Sequence, residues 1–156
     1  MTGSTAALTS TARAARTLLW VAVGTAWVVA WFVPWTSRGL LSTSSLQDGA
    51  RLIRSGSVSA LVPSWVAWLL LLGPVSGLVV LGSATRDGPA ITAARCALLL
   101  AMAVAFVMSW YAVAELDVGR LGPGGWLTGT GVALGLAGLA AQRLATRTRP
   151  RGEERP

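Results

Sequence analysis

Four stretches of this chain, residues 18–35, 63–82, 96–114 and 126–142, contain no charged side chain. An α-helix rises about 1.5 Å per residue, so stretches of this length approach the roughly 30 Å hydrocarbon core of a bilayer. Lipid offers no partner to a peptide N–H or C=O, so a crossing segment must satisfy its backbone within its own helix or in a closed barrel. A barrel needs many short alternating strands, and the apolar residues here come in blocks instead. The pattern predicts an all-α, polytopic membrane protein: a four-helix transmembrane bundle.

Charge content points the same way. The 156 residues are 53% hydrophobic and 12% charged, about half the charge of an ordinary soluble domain. All thirteen basic residues are Arg, and there is no His. A net charge of +7 can signal nucleic acid, but most Arg residues flank the apolar blocks, and no basic stripe is interleaved with stacking aromatics. Nucleic acid is therefore not expected as a partner. Cys96 is the only cysteine, so neither an intrachain disulfide nor a Cys-based metal cluster can form. Without His, a haem or zinc site would need unusual ligands, and no cofactor is expected.

The chain divides into a cytoplasmic tail over residues 1–16, a transmembrane domain over 17–142 and a basic cytoplasmic tail over 143–156. The first tail is small and polar and ends in Arg13 and Arg16; it reads as a short mobile segment. The first block resembles a signal peptide in its basic flank. However, Trp27, Trp31, Phe32, Pro34 and Trp35 stand where small residues would mark cleavage, so it is expected to be a retained helix. Residues 36–60 form the longest polar connection. Within it Ser45-Leu46-Gln47-Asp48 fits a capping box and Gly56 a stop. Leu46, Ala50 and Ile53 share one face, with Arg51 and Arg54 on another. This fits a short amphipathic helix on the membrane surface and equally a solvated loop with one helical turn. In the second block, Pro74 is expected to kink the helix, because it lacks an N–H and crowds the carbonyl of Leu70. Arg, Pro and Glu in the tail over residues 143–156 predict disorder there.

Four spans place nine Arg residues on one side (Arg13, Arg16, Arg86, Arg95, Arg143, Arg147, Arg149, Arg151 and Arg155) and four on the other (Arg38, Arg51, Arg54 and Arg120). The richer side should be cytoplasmic, which puts both termini there, in a bacterial inner membrane. Trp31, Trp35, Trp65, Trp68, Trp110, Tyr111 and Trp126 then fall at the opposite face. That suits an interfacial belt, where the ring is apolar and the indole N–H seeks water or a headgroup. The two patterns agree only if the helices alternate in direction.

Helices in lipid associate by close backbone contact, so small residues matter. Gly125 and Gly129, Gly131 and Gly135, and Gly73 and Gly77 lie at GxxxG spacing, and Ala97, Ala101 and Ala105 form a small stripe. These faces can close the bundle or dock a membrane-protein partner.

Catalytic motifs are missing. There is no G-x-S-x-G elbow, P-loop or dinucleotide fingerprint, and the chain reads as non-enzymatic. Ion and proton carriers keep a charge within the membrane, and none lies inside the four blocks. The nearest polar candidates are Thr25, Ser76 and Ser109, whose hydroxyls are expected to bond back to helix carbonyls. The best candidate interaction site lies at the outer face. Glu115 and Asp117 follow helix three, where the dipole opposes a negative charge, so they should seek Arg38, Arg51, Arg54 or Arg120. Trp35, Trp65, Trp68, Trp110 and Trp126 would ring them. This is either a groove for a lipid headgroup, sugar-lipid or partner protein, or a solvated loop layer with ordinary aromatic anchors.

With Pro34-Trp35 ending helix one, a polar outer loop after it and Arg86 in the next turn, the plan resembles small, uncharacterised four-helix membrane proteins of high-GC bacteria. The resemblance covers most of the chain, rests on topology, and implies no activity. Small multidrug transporters also have four helices, but their membrane-buried Glu in helix one has no counterpart, since residues 18–34 hold no acid. The expected role is an accessory or structural subunit of a membrane complex. The alternative is a lipid or amphiphile binding or transport protein that uses the outer Trp/Arg cluster.

Overall fold

A computed structural model describes residues 3–37, 45, 47, 48, 51, 54, 55, 71–114 and 117–147. These are all-helical: α1 Gly3–Ala30, α2 Leu72–Ser83, α3 Pro89–Ala114 and α4 Pro123–Arg147, with a 3-10 turn at Val118–Arg120. The described residues include no strand, only two isolated bridges, Pro34 with Ser45 and Thr36 with Leu121.

Helix α1 begins at Gly3, so the expected mobile tail is helical through Arg16. Ala6, Ala7, Ala12, Ala14 and Ala15 favour the helix, and no Pro or Gly interrupts the chain between Gly3 and Gly24. At the other end α1 stops at Ala30, short of the expected Trp35. Pro34 disfavours a helical Val33, and its ring crowds the carbonyl four residues back. The last turn tightens instead, with Trp31 N donating to Val28 O at 3.2 Å and Phe32 N to Val29 O at 2.9 Å.

Pro74 lies in the first turn of the described α2, where its missing N–H costs no helical bond. The expected interior kink turns on residues 63–70 of the second block, which lie outside the described residues. Pro89 and Pro123 each open a helix at the position their fixed φ favours. Helix α3 thus takes in Arg95, ahead of the uncharged stretch 96–114 and inside a helix expected to begin near Ala90, and α4 continues through Arg143 to Arg147. Among the described residues, two helices are long and apolar enough to cross a membrane, α3 over Pro89–Tyr111 and α4 over Pro123–Arg143.

The helices pack as a ring: α1 contacts α2 and α4, and α3 contacts the same two. Trp20, Val23, Trp27, Val80, Ala84, Leu99, Met102 and Val132 form the core. Helices α1 and α2 meet at Gly24 and Gly77, where a Cβ on either residue would lie 2.7–2.8 Å from the carbonyl oxygen of the other. On α4, Gly131 receives the Trp27 indole, Gly135 receives Leu99 and Gly138 receives Leu19. Most of the expected small-residue faces are thus filled within the molecule. Gly73 is looser, since a Cβ there would meet only Met102, at 4.0 Å. Of the α3 stripe, Ala101 and Ala105 are half-buried and Ala97 is exposed.

The interior also holds a cation. Arg95 is 2% exposed, with its guanidinium carbon 4.5 Å from the centroid of the Trp20 ring. Its Nη2 donates to Ser83 O and, at 3.2 Å, to Arg86 O. Ser83 ends α2, where carbonyls lack helical partners and a cation meets the negative end of the dipole. Arg95 therefore ties α3 to the end of α2. Beside it, Arg16 of α1 pairs with Asp87 in the α2–α3 turn.

Candidate functional site

The described tryptophan-rich end is built from the segment after α1 and the connection between α3 and α4. Gly122 N donates to Trp35 O at 2.7 Å, Ser37 N to Arg120 O at 3.0 Å and Gly124 N to Pro34 O at 2.9 Å. The last of these satisfies an amide in the first turn of α4, one of the donors every helix leaves open. The Ser37 hydroxyl adds a bond to Gly119 O at 2.8 Å. Contact is close because Gly122 has no side chain: a Cβ there would lie 2.7 Å from Pro34 O.

Asp117 finds the Arg partner expected of it in Arg120, at 3.7 Å. Its carboxylate also accepts from Gly119 N at 2.8 Å, capping the 3-10 turn. Both groups are exposed, so the pair contributes at most about 1 kcal/mol. The Trp110 indole reaches Asp117 O at 3.5 Å, and the Trp35 indole donates to Ala30 O at 3.2 Å. Phe106 joins the two tryptophans, with ring centroids 6.4 Å from Trp35 and 5.7 Å from Trp110, both tilted, an arrangement aromatic quadrupoles favour.

Behind these rings lies a cleft of about 40 Å³ walled by Trp27, Trp31, Trp35, Met102, Phe106 and Ser109. Thr128 also lines it, but its hydroxyl is engaged with Gly124 O at 3.0 Å. The Trp27 indole N–H is buried with no acceptor among the described residues. Among the described residues the walls carry no ionisable group, which suits the cleft to a small apolar group.

The capping box near the first connection is present. Ser45 N donates to the Asp48 carboxylate at 3.0 Å and Asp48 N returns to the Ser45 hydroxyl at 3.3 Å. Gln47, Asp48, Arg51 and Arg54 are helical. The Ser45 hydroxyl also donates to the Asp48 carboxylate at 2.8 Å, and this bond together with that from the Ser45 amide holds the Asp48 carboxyl below its ordinary value. The bridge between Ser45 and Pro34 ties this turn to the end of α1.

Of the residues expected at this site, the structure gathers Trp35, Trp110, Asp117 and Arg120 into one layer. Arg51, Arg54 and Trp126 are exposed, and Arg38, Trp65, Trp68 and Glu115 lie outside the described residues. Sequence reasoning missed Phe106, Trp27 and Met102, which read as ordinary apolar span residues. It also missed the state of Ser76: the hydroxyl is fully buried and has no partner, rather than bonding back to a helix carbonyl. The back-bonding rule does hold at Ser83, Thr92 and Thr128. Comparison with protein-family models, curated proteins and solved structures gave no match.

Proposed function

We propose that this chain is a multi-pass integral membrane protein of the bacterial inner membrane, serving as a non-enzymatic accessory or structural subunit of a membrane complex. The carrying observation is the inverted distribution of polarity. Leu18, Leu78, Leu100, Val104, Met108 and Leu136 are exposed, while Arg95, Ser76 and Thr128 are buried. Water would penalise that arrangement, since an exposed apolar surface of this extent is a liability for a soluble protein, whereas lipid favours it. Along α3, only 17% of the most apolar stretch is buried, and Leu100, Val104, Val107 and Tyr111 form an exposed ridge at helical spacing.

The four-span arrangement with both ends cytoplasmic draws support from charge placement. Gly138 of α4 packs on Leu19 of α1 and Gly131 on Trp27, so the two helices run antiparallel. Arg143 therefore falls at the same end as Arg16, near Arg86 and Arg95, while Arg120 and the Trp35 layer lie at the other. The Arg-rich end is the cytoplasmic one by the positive-inside rule. The ridge on α3 supplies a face for a partner helix.

Alkaline carbonate extraction followed by centrifugation tests the membrane assignment; protein in the supernatant would overturn it. Reporter fusions at each terminus test the orientation. Purification in several mild detergents tests the subunit role, with a stoichiometric membrane-protein partner as the expected result and a monodisperse chain without one as the result against it.

A second reading, binding of a lipid or other amphiphile, is favoured by the aromatic cleft. Native mass spectrometry should then show one retained lipid class that is lost when Phe106 is replaced by Ala, and unselective retention would argue against it.

A further inference from the structure

We infer that the Arg-rich end binds the phosphate of an anionic phospholipid between α1 and the turn joining α2 to α3. This goes beyond the subunit role and rests on the membrane assignment. Arg13, Arg16 and Trp20 fall at i, i+3 and i+7 along α1, so one face carries all three. That face meets the α2–α3 turn, where Arg16 pairs with Asp87 and Arg86 is exposed. Arg95 lies behind, held over Trp20 and bonded to the carbonyls of Ser83 and Arg86.

Charge in this place is out of balance. Among the described residues, Arg13, Arg16, Arg86 and Arg95 stand at this end with a single carboxylate, that of Asp87, which Arg16 already engages. Each guanidinium offers five N–H donors in a planar fork suited to phosphate. Arg95 spends Nη2 on backbone carbonyls, while its Nε–H and the indole N–H of Trp20 are buried without an acceptor among the described residues. The surplus here is therefore one of hydrogen-bond donors as well as of positive charge.

The start of α3 adds to it. The amides of Ala90 and Ile91 precede the first helical bond, which Thr92 N makes to Gly88 O at 3.0 Å, and the first turn of α3 contains no acid. A helix N-terminus of this kind attracts an anion. With the Arg-rich end at the cytoplasmic interface, the anion within reach of this helix start is a lipid phosphate, and Leu18 and Leu100, both exposed, offer apolar surface near the same end for the attached chains. Basic pockets between spans on the cytoplasmic side bind anionic headgroups in this way.

The test uses the full chain in nanodiscs of phosphatidylglycerol and phosphatidylcholine in equal parts, with bound lipids counted by native mass spectrometry. Retained phosphatidylglycerol should exceed phosphatidylcholine, and R16Q/R86Q should reduce that preference roughly ten-fold. R51Q/R54Q, at the tryptophan-rich end, should leave it unchanged, and excess inorganic phosphate should not displace the lipid. R86Q alone alters an exposed side chain and keeps the backbone carbonyl that Arg95 uses. It should reduce the preference roughly five-fold and serves if circular dichroism shows the double variant losing helix.

Equal retention of the two lipids, or an equal loss in R51Q/R54Q, would overturn the inference. Displacement by inorganic phosphate would overturn the lipid assignment in favour of a free anion. Failure of the membrane assignment is separable, because carbonate extraction would then release the chain whatever its lipid preference.

Discussion

The two ends of the helical ring are closed by different means. At the Arg-rich end, a side chain makes the closure: Arg95 spans from α3 to the carbonyls ending α2 and stacks on Trp20 of α1. At the tryptophan-rich end, the backbone makes it: the segment after α1 bonds directly to residues 120–124, and Gly122 permits the approach. A side-chain closure depends on the identity of one residue. A backbone closure tolerates most substitutions except those that add atoms where the chains touch.

Replacing Arg95 by Ala should have the largest effect. It takes the side-chain donor from two carbonyls, of which Ser83 O keeps the Arg86 amide, and leaves Trp20 uncovered, costing about 3 kcal/mol, read as a lowered unfolding midpoint in detergent. Arg95→Lys should recover only part, since an ammonium lacks the guanidinium fork. Full recovery by Lys would show that charge alone closes this end.

Gly122→Ala is the matching experiment at the other end, where the added carbon would overlap Pro34 O and the neighbouring backbone. About 2 kcal/mol of destabilisation is expected, with faster hydrogen exchange at the Ser37 and Gly124 amides. An unchanged exchange rate would show that this closure bends without opening.

Ser76→Ala and Thr36→Val should go the other way. Both hydroxyls are buried without partners, so their removal should be neutral or stabilising by up to about 1 kcal/mol. A clear loss of stability in either variant would mean that the hydroxyl has a partner.

The smallest effect concerns acid. The Asp48 carboxyl is held below its ordinary value of 3.8 by its bonds from Ser45. Its contribution is therefore complete above 3.8 and disappears as pH falls through the lowered value. The Ser45–Asp48 turn should fray at that point, visible in the chemical shift of the carboxyl carbon, while the Arg95 closure stays intact.

Much of this was legible in the chain because it depends on neighbours in sequence. Ser45 and Asp48 form their box within four residues, and Pro34, Pro89 and Pro123 mark helix boundaries through their own stereochemistry, a local signal passed over where the uncharged stretches were carried to Trp35 and begun only at Trp126. The all-helical character followed from the uncharged blocks. Arg95 was not legible, because counting it as a flank treats charge as a property of position along the chain. Its burial depends on Trp20, 75 residues earlier, being on the facing side of another helix. The cleft was hidden for the same reason, since Trp27, Met102 and Ser109 come from two helices and share no spacing rule. The length of α1 escaped because small polar residues read as a tail, although their Ala content sustains a helix.

The pairing of Ser37 with Gly119, 82 residues later, has a consequence for biogenesis. The ribosome delivers the end of the first helix long before the segment that completes it. The carbonyls of Pro34 and Trp35 can receive their amides only after Gly122 and Gly124 have been synthesised. A nascent chain halted before Pro123 therefore leaves the ring unclosed, and its final helix acts as the clasp of the assembly.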